Sequence, residues 1–283
     1  MPKGKALKPI TGTTIVVAQD GSPAAQAAAG VAIQIAQSQN LSIRGLYIVD
    51  ETLALDPYSN YRRELEGDRQ PVSQAELLSW FEEQGDGALH LLEARCKAAG
   101  VPVTAELLAG GVPELVLRKS AEARLLALGR QGLGHKDDPQ HLGRNLRIVA
   151  HRARRPVLIG GGELRTVHRL LLAYDGSNHA QRALAWAASL QRTLPAQVAV
   201  VVVQEDGRPS AEESLAVAQA QLADCQCLHR QGQPASEIVA AAEEARADLI
   251  VMGRYRHPSL IEWLLGSTVD RVLRGCQLPV LIA

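Results

Sequence analysis

Two aspartates stand at matching places in the chain. Asp20 closes the run IVVAQD over residues 15–20 and Asp175 closes LLLAYD over 170–175, and each is followed by Gly-Ser. A carboxylate at the end of an apolar strand can accept hydrogen bonds from sugar hydroxyls or the N–H edge of a base. Farther along, Gly253 opens a loop that leads to Gly266, Ser267 and Thr268, just before an amphipathic run. Glycines allow close backbone approach. Gly-Ser-Thr at a helix start supplies free N–H groups and hydroxyls, the chemistry of a phosphate cradle. Arg254, Arg256 and His257 lie in the same loop, where they either add positive charge to the cradle or are solvated loop charges. A third constellation, Cys225, Cys227 and His229, alternates along one strand face. It suits either a metal ion or two small residues on a buried face, and free cysteine commonly behaves as a small hydrophobe.

The elements that must position these groups occur twice. Each Asp-Gly-Ser is a turn followed by a helix N-cap, and Ala- and Leu-rich segments follow over 23–39 and 178–192. Residues 42–49 and 197–203 read as second strands. Gly111-Val112-Pro113 and Gly232-Gln233-Pro234 mark turns into helices, and LLALG over 125–129 matches LIVMG over 249–253. Pro-Val-Leu-Ile closes each half, at 156–159 and 279–282. The alternation of strand and helix predicts an α/β fold: two tandem, doubly wound, five-stranded parallel-sheet domains, over 10–160 and 167–283. Such sheets bind ligands beyond the C-terminal ends of their strands, where strand order reverses. Both aspartates and both post-glycine loops converge on that edge. The join, Gly160-Gly161-Gly162, is short enough to predict that the halves pack together.

The repeat is unequal in one place. Asp20 precedes Asp175 by 155 positions and Gly129 precedes Gly253 by only 124, so the first half holds about 31 additional residues within 51–98. That stretch contains Tyr58, Tyr61, Trp80 and Phe81. The group Leu77, Leu78, Trp80 and Phe81 predicts a helix packed on the domain or its partner, with a ligand lid as the alternative.

Bulk properties bound the function. The 283 residues are 46% hydrophobic, and 30 basic residues balance 30 acidic ones, so the basic excess of a general nucleic-acid binder is missing. No wholly apolar stretch is longer than that of 198–203, which is far short of the roughly 18 residues a membrane helix needs. The first ten residues show no apolar signal region. A cytoplasmic protein with no membrane and no nucleic-acid partner is expected. The four cysteines are too sparse for a disulfide framework. P-loop, nucleophile-elbow and His-Glu-x-x-His motifs do not occur.

With the Asp, the glycine loop, the Gly-Ser pair and the closing strand in view, the chain resembles the universal stress protein family in its tandem, two-domain form. That fold is Rossmann-like and similar to the adenine nucleotide α-hydrolases. The family motif is G-x2-G-x9-G-[ST]. The resemblance implies binding of ATP or a related adenine nucleotide, with Mg²⁺ as its companion, mainly in the second half. It places base contacts on Asp175 and the backbone of Val203, Met252 beside the nucleoside, and phosphate contacts on Gly253, Gly266, Ser267 and Thr268. Arg256 replaces the second motif glycine, and its guanidinium is suited to pairing with phosphate. In the first half the corresponding residues are Asp20, Ile48, Gly129, Gly132 and Gly143. There the interval is ten residues and Arg144 replaces the Ser or Thr. The cluster Arg144, Arg147, Arg152, Arg154 and Arg155 reads as a solvated helix face, or alternatively as a surface for an acidic partner. The resemblance further implies that the closing strands, with Ile159 and Ile282, pair across a two-fold axis as an internal dimer, with a homodimer and an unidentified protein partner as further associations. A regulatory nucleotide-binding role is the leading expectation. The alternatives are a nucleotide-free interaction module and a weak ATPase.

Overall fold

The computed structural model describes residues 10–50, 73–132, 142–204, 210–254 and 267–283. The first half runs β1 (Thr14–Gln19), α1 (Pro23–Gln39), β2 (Ser42–Val49), α2 (Gln74–Ala98), β3 (Val103–Ala109), α3 (Val112–Lys119), β4 (Leu125–Leu128), α4 (Arg144–Arg152) and β5 (Val157–Ile159). The second repeats the order with β6 (Arg169–Ala173), α5 (Asn178–Thr193), β7 (Gln197–Gln204), α6 (Ala211–Gln219), β8 (Gln226–Gln231), α7 (Pro234–Glu244), β9 (Leu249–Met252), α8 (Ser267–Gly275) and β10 (Val280–Ile282).

All ten strands join one sheet in the order β3-β2-β1-β4-β5-β10-β9-β6-β7-β8. Neighbours are parallel within each half. The centre is different: β5 and β10 run antiparallel, with Leu158 opposite Leu281 and Ile159 opposite Val280. Buried apolar strands alternate their side chains between two helical layers. Ile15, Val17 and Leu172 pack with α1, α2, α5 and α6 on one face. Val16, Leu126 and Leu171 pack with α3, α4, α7 and α8 on the other. Each core runs without interruption through both halves.

The glycine join is part of this packing. A Cβ on Gly160 would lie 1.9 Å from the Ala24 carbonyl oxygen, and one on Gly161 would lie 2.1 Å from that of Gln277. The Gly162 N–H donates to the same Gln277 oxygen at 2.9 Å. Across the first helical layer, Gln34 on α1 exchanges two hydrogen bonds with the backbone of Val167. Arg124 donates to Gln39 at 2.8 Å and lies over the ring of the buried Trp186, 5.6 Å from its centroid.

The unequal spacing becomes a helix of unequal length. Helix α2 has 25 residues and its counterpart α6 has nine. Ser73 and Glu76 form a reciprocal capping box at its start. Leu77, Phe81 and Leu89 are buried against Tyr47 and Val49 of β2, with Trp80 and Leu78 at the margin. The packed-helix reading therefore holds for 74–98. Tyr58 and Tyr61 lie outside the described residues, as does most of the stretch on which a lid would depend. Among the described residues no helix is long and apolar enough to cross a membrane.

Candidate functional site

The turn after each first strand is built the same way twice. Gly21 and Gly176 sit at φ +80° and +73°, a region most side chains avoid. This lets the chain double back, so that the Ser22 and Ser177 N–H groups donate to Oδ1 of Asp20 and Asp175, at 2.9 and 3.0 Å. Each serine Oγ then caps its helix, accepting from the N–H of Ala25 or Ala180 at 3.1 Å. One carboxylate oxygen thus fixes the turn, and the aspartate is held at the sheet edge.

In the second half this edge opens into a cavity of about 200 Å³ between β6, β7 and β9 and the helices α5, α7 and α8. Asp175, Val203, Met252, Gly253 and Thr268 all line it. Val203 projects beyond its neighbour, because the β6–β7 ladder ends at Ala173 opposite Val201. The Tyr174 N–H donates to the Val201 oxygen. Along a strand, N–H and C=O groups face the same side every second residue, so those of Val203 face the β6 side past the end of the ladder. One donor and one acceptor side by side match the edge of an amino-substituted heterocycle. Ile238, Val201 and Met252 supply apolar walls, and Thr268 in the first turn of α8 brings a hydroxyl and a helix N-terminus.

Gly253 forms the floor. A Cβ there would stand 2.7 Å from the His179 carbonyl carbon and 2.8 Å from the Ala180 nitrogen. The strand end therefore touches the first turn of α5 backbone to backbone. Tyr174 is buried beneath Asp175, and burial together with that neighbouring carboxylate pushes its hydroxyl up to about 12. Gln181 donates to the same hydroxyl.

Several lining residues lie outside the expected set of contacts: Tyr174, Ser177, His179, Pro234 and Ile238. The repeat offers a partial signal for His179, since its counterpart in the first half is Ala24. Arg254 departs from the expected role. It borders the cavity, but its guanidinium reaches into the other half and donates to the carbonyl oxygens of Ala153 and Arg155. The reason is geometric: both acceptors lie just past the end of α4, beside the loop that follows β9. Ser267 opens α8. Arg256, His257 and Gly266 lie outside the described residues.

The first-half counterparts are arranged differently. Burial raises the Asp20 carboxyl above its ordinary range, opposed by hydrogen bonds from Ser22. The Ser22 hydroxyl donates to the Gln131 oxygen at 3.2 Å, drawing the post-β4 loop toward α1. Gly129 abuts the Ala25 nitrogen as Gly253 abuts that of Ala180. Ile48 is half-buried against the second core, and Gly132 is half-buried in the loop. The Gly143 N–H donates to the Arg130 oxygen, and Gly143 caps α4 without a side-chain bond. Arg144 follows it, exposed, as are Arg152 and Arg154, while Arg147 and Arg155 are half-buried. The solvated-face reading fits most of this cluster, but the Arg155 Nε donates to the Ala121 oxygen.

Cys225 and Cys227 are half-buried and His229 is exposed, so the cysteine face is only partly covered. Burial is the larger cause of a raised Cys225 thiol, with Cys227 adding to it.

Comparison with known proteins supplies the context. A sequence model described as the Universal stress protein family matches residues 12–159, 166–227 and 208–283. Universal stress protein Slr1230 of Synechocystis is 30% identical over 163 residues, and the match covers 56% of each chain, little more than half of that relative's length. A universal stress protein of Thermus aquaticus is 35% identical over 131 residues, covering 40% of this chain and 96% of the relative. The crystal structure of a universal stress protein from Archaeoglobus fulgidus shares the fold, with a TM-score of 0.74 at 22% identity over 96% of this chain and 98% of that one. With family segments matched in both halves and the same fold throughout, this chain belongs to the universal stress protein family.

Proposed function

We propose that the chain is a regulatory stress-response protein that binds one adenine nucleotide, ATP or a close relative, in its second half. The observation that carries this reading is the convergence of Asp175, the Val203 backbone, Met252, Gly253 and Thr268 on one cavity. Each supplies what a nucleotide asks for. The Val203 edge offers a donor and an acceptor to the base, and Met252 and Ile238 offer apolar faces. Asp175 accepts from ribose hydroxyls. The start of α8 faces the phosphates with backbone N–H groups and the Thr268 hydroxyl. The cavity volume is below the roughly 300–1,000 Å³ of a typical small-molecule pocket, so the phosphates would lie at its rim. Mg²⁺ would accompany them as a counter-charge. In the first half Arg144 stands where the cradle needs a small hydroxyl residue, so that half is not assigned a nucleotide.

Calorimetric titration with Mg-ATP tests the proposal. Saturable binding is expected, lost in Asp175→Ala and weakened in Thr268→Val. The absence of heat in the wild-type chain would favour a nucleotide-free interaction module. ATP turnover abolished by Asp175→Ala would favour a weak hydrolase.

A further inference from the structure

Two arginines hold equivalent places directly after the glycines that end β4 and β9, and each reaches into the opposite half. Arg130 is fully buried, and its Nη1 donates to the Cys276 carbonyl oxygen at 2.7 Å. Arg254 donates through Nη1 to Ala153 and through Nη2 to Arg155, the latter at 3.2 Å. Ala153 and Cys276 are themselves equivalent. The N–H of each bonds back to the last turn of its helix, Ala153 to Val149 and Cys276 to Val272, so each carbonyl lies just past a helix end. The final carbonyls of a helix lack partners within it, and a cation there meets both their lone pairs and the negative end of the helix dipole. The result is a reciprocal clasp across the central β5–β10 pair.

The clasp persists where the surrounding loops have diverged. Gly132 corresponds to Arg256 and Arg144 to Ser267, yet Gly-Arg stands in both loops. It is also costly to bury a cation with few partners. Nε and Nη2 of Arg130 have no acceptor among the described residues. Helix α8 joins this buried cation to the cavity. It has nine residues, about 13 Å at 1.5 Å per residue. Thr268 and Val269 at its start line the cavity, while Cys276 just beyond its end is gripped by Arg130.

We infer that Arg130 is a positioning residue for the second-half site: the loop of the first half, degenerate as a cradle itself, sets the seat of α8 and so tunes ligand affinity from the far end of that helix without touching the ligand. This rests on the reading of the cavity as a nucleotide site. Helix α8 is also anchored by buried Val269, Val272 and Leu273, so the coupling is graded.

Hydrogen exchange of the full chain, read by mass spectrometry with and without Mg-ATP, tests it. In Arg130→Met without nucleotide, amides of α8 are expected to exchange at least about threefold faster while α1 and α5 stay unchanged. Mg-ATP affinity should fall by about two- to thirtyfold, the range of such indirect couplings. Arg130→Lys, which keeps a charged donor, should restore much of both. Arg254→Met should loosen α4 and leave α8 alone. Equal α8 exchange in wild type and Arg130→Met, or a rise spread evenly over all helices, would overturn the inference. Should Arg130→Met not fold, the wild-type chain decides: by reciprocity, nucleotide should slow exchange at 130–132 in the first half, and protection confined to the second half would overturn it. If Mg-ATP does not bind at all, the proposed function fails, and the nucleotide-free exchange comparison still decides whether Arg130 seats α8.

Discussion

Gly253 marks the place where the end of β9 presses on the first turn of α5, and a single methyl group there makes a sharp test. In Gly253→Ala the new Cβ would meet His179 and Ala180 backbone atoms at 2.7 and 2.8 Å, and ordinary contact begins near 3.4 Å. The two backbones must part by about 0.7 Å, and neither is a flexible side chain. Overpacking of this kind costs about 1–3 kcal/mol. For a chain of this size that lowers the melting temperature by roughly 2–4 °C per kcal/mol. The same displacement moves the cavity floor against Asp175 and Met252, so Mg-ATP affinity should fall about tenfold or more, equivalent to about 1.4 kcal/mol. Gly85→Ala is the control. Its Cβ would meet the Tyr47 ring at 2.6 Å and Leu107 at 2.9 Å, far along the sheet from the cavity. It should lower the melting temperature and leave affinity within about twofold. Thermal melts and calorimetry on both variants suffice. Wild-type affinity in Gly253→Ala, or an equal loss in Gly85→Ala, would show that Gly253 does not hold the cavity floor.

Other outcomes follow from the same geometry. Gly87, two residues along α2 from Gly85, has nothing within 4 Å of the position an alanine methyl would take, so Gly87→Ala should stabilise by about 0.5–1 kcal/mol in denaturant unfolding. Ser177→Ala removes the cap of α5 and should cost about 1 kcal/mol, a loss that Ser177→Asp should largely avoid. Burial pushes the Cys96 thiol up to about 11. The folded chain therefore favours the protonated thiol, and its contribution to stability is complete below about pH 9 and declines as pH rises from there to about 11. The stability difference between wild type and Cys96→Ala should shrink across that window; a difference independent of pH would contradict the assignment.

Local chemistry made much of the fold legible. Asp-Gly-Ser carries its own instructions: the glycine turns, the aspartate accepts from the serine N–H, and the serine caps. Both copies do so within 0.1 Å of one another. Pro-Val-Leu-Ile read as a closing strand because an apolar run after a proline suits a fully buried central strand. The cavity lining was legible where an expected contact stands at or just past a strand end, as at Asp175, Val203 and Gly253. It was illegible where contacts arise only from assembly. His179 and Ile238 come to the cavity from helix starts, and no spacing in the sequence ties them to Met252. The arginines show the limit most plainly. Arg254 lies in a phosphate-type loop and reads as a cation for phosphate, yet its acceptors are 101 and 99 positions away in the other half. Arg130 carried only the repeated Gly-Arg pair, with no hint of its acceptor, because that contact depends on the antiparallel pairing that brings Cys276 beside it.

Under the proposed function, one adenine ring sits in the second-half cavity. Photolabelling with 8-azido-ATP, competed by ATP and mapped by peptide mass spectrometry, addresses it directly. One label per chain is expected, on peptides containing Val201–Val203, Pro234–Ile238 or Met252. Labelling around Gln19, Ile48 and Leu128 in the first half, or no label that ATP displaces, would contradict it.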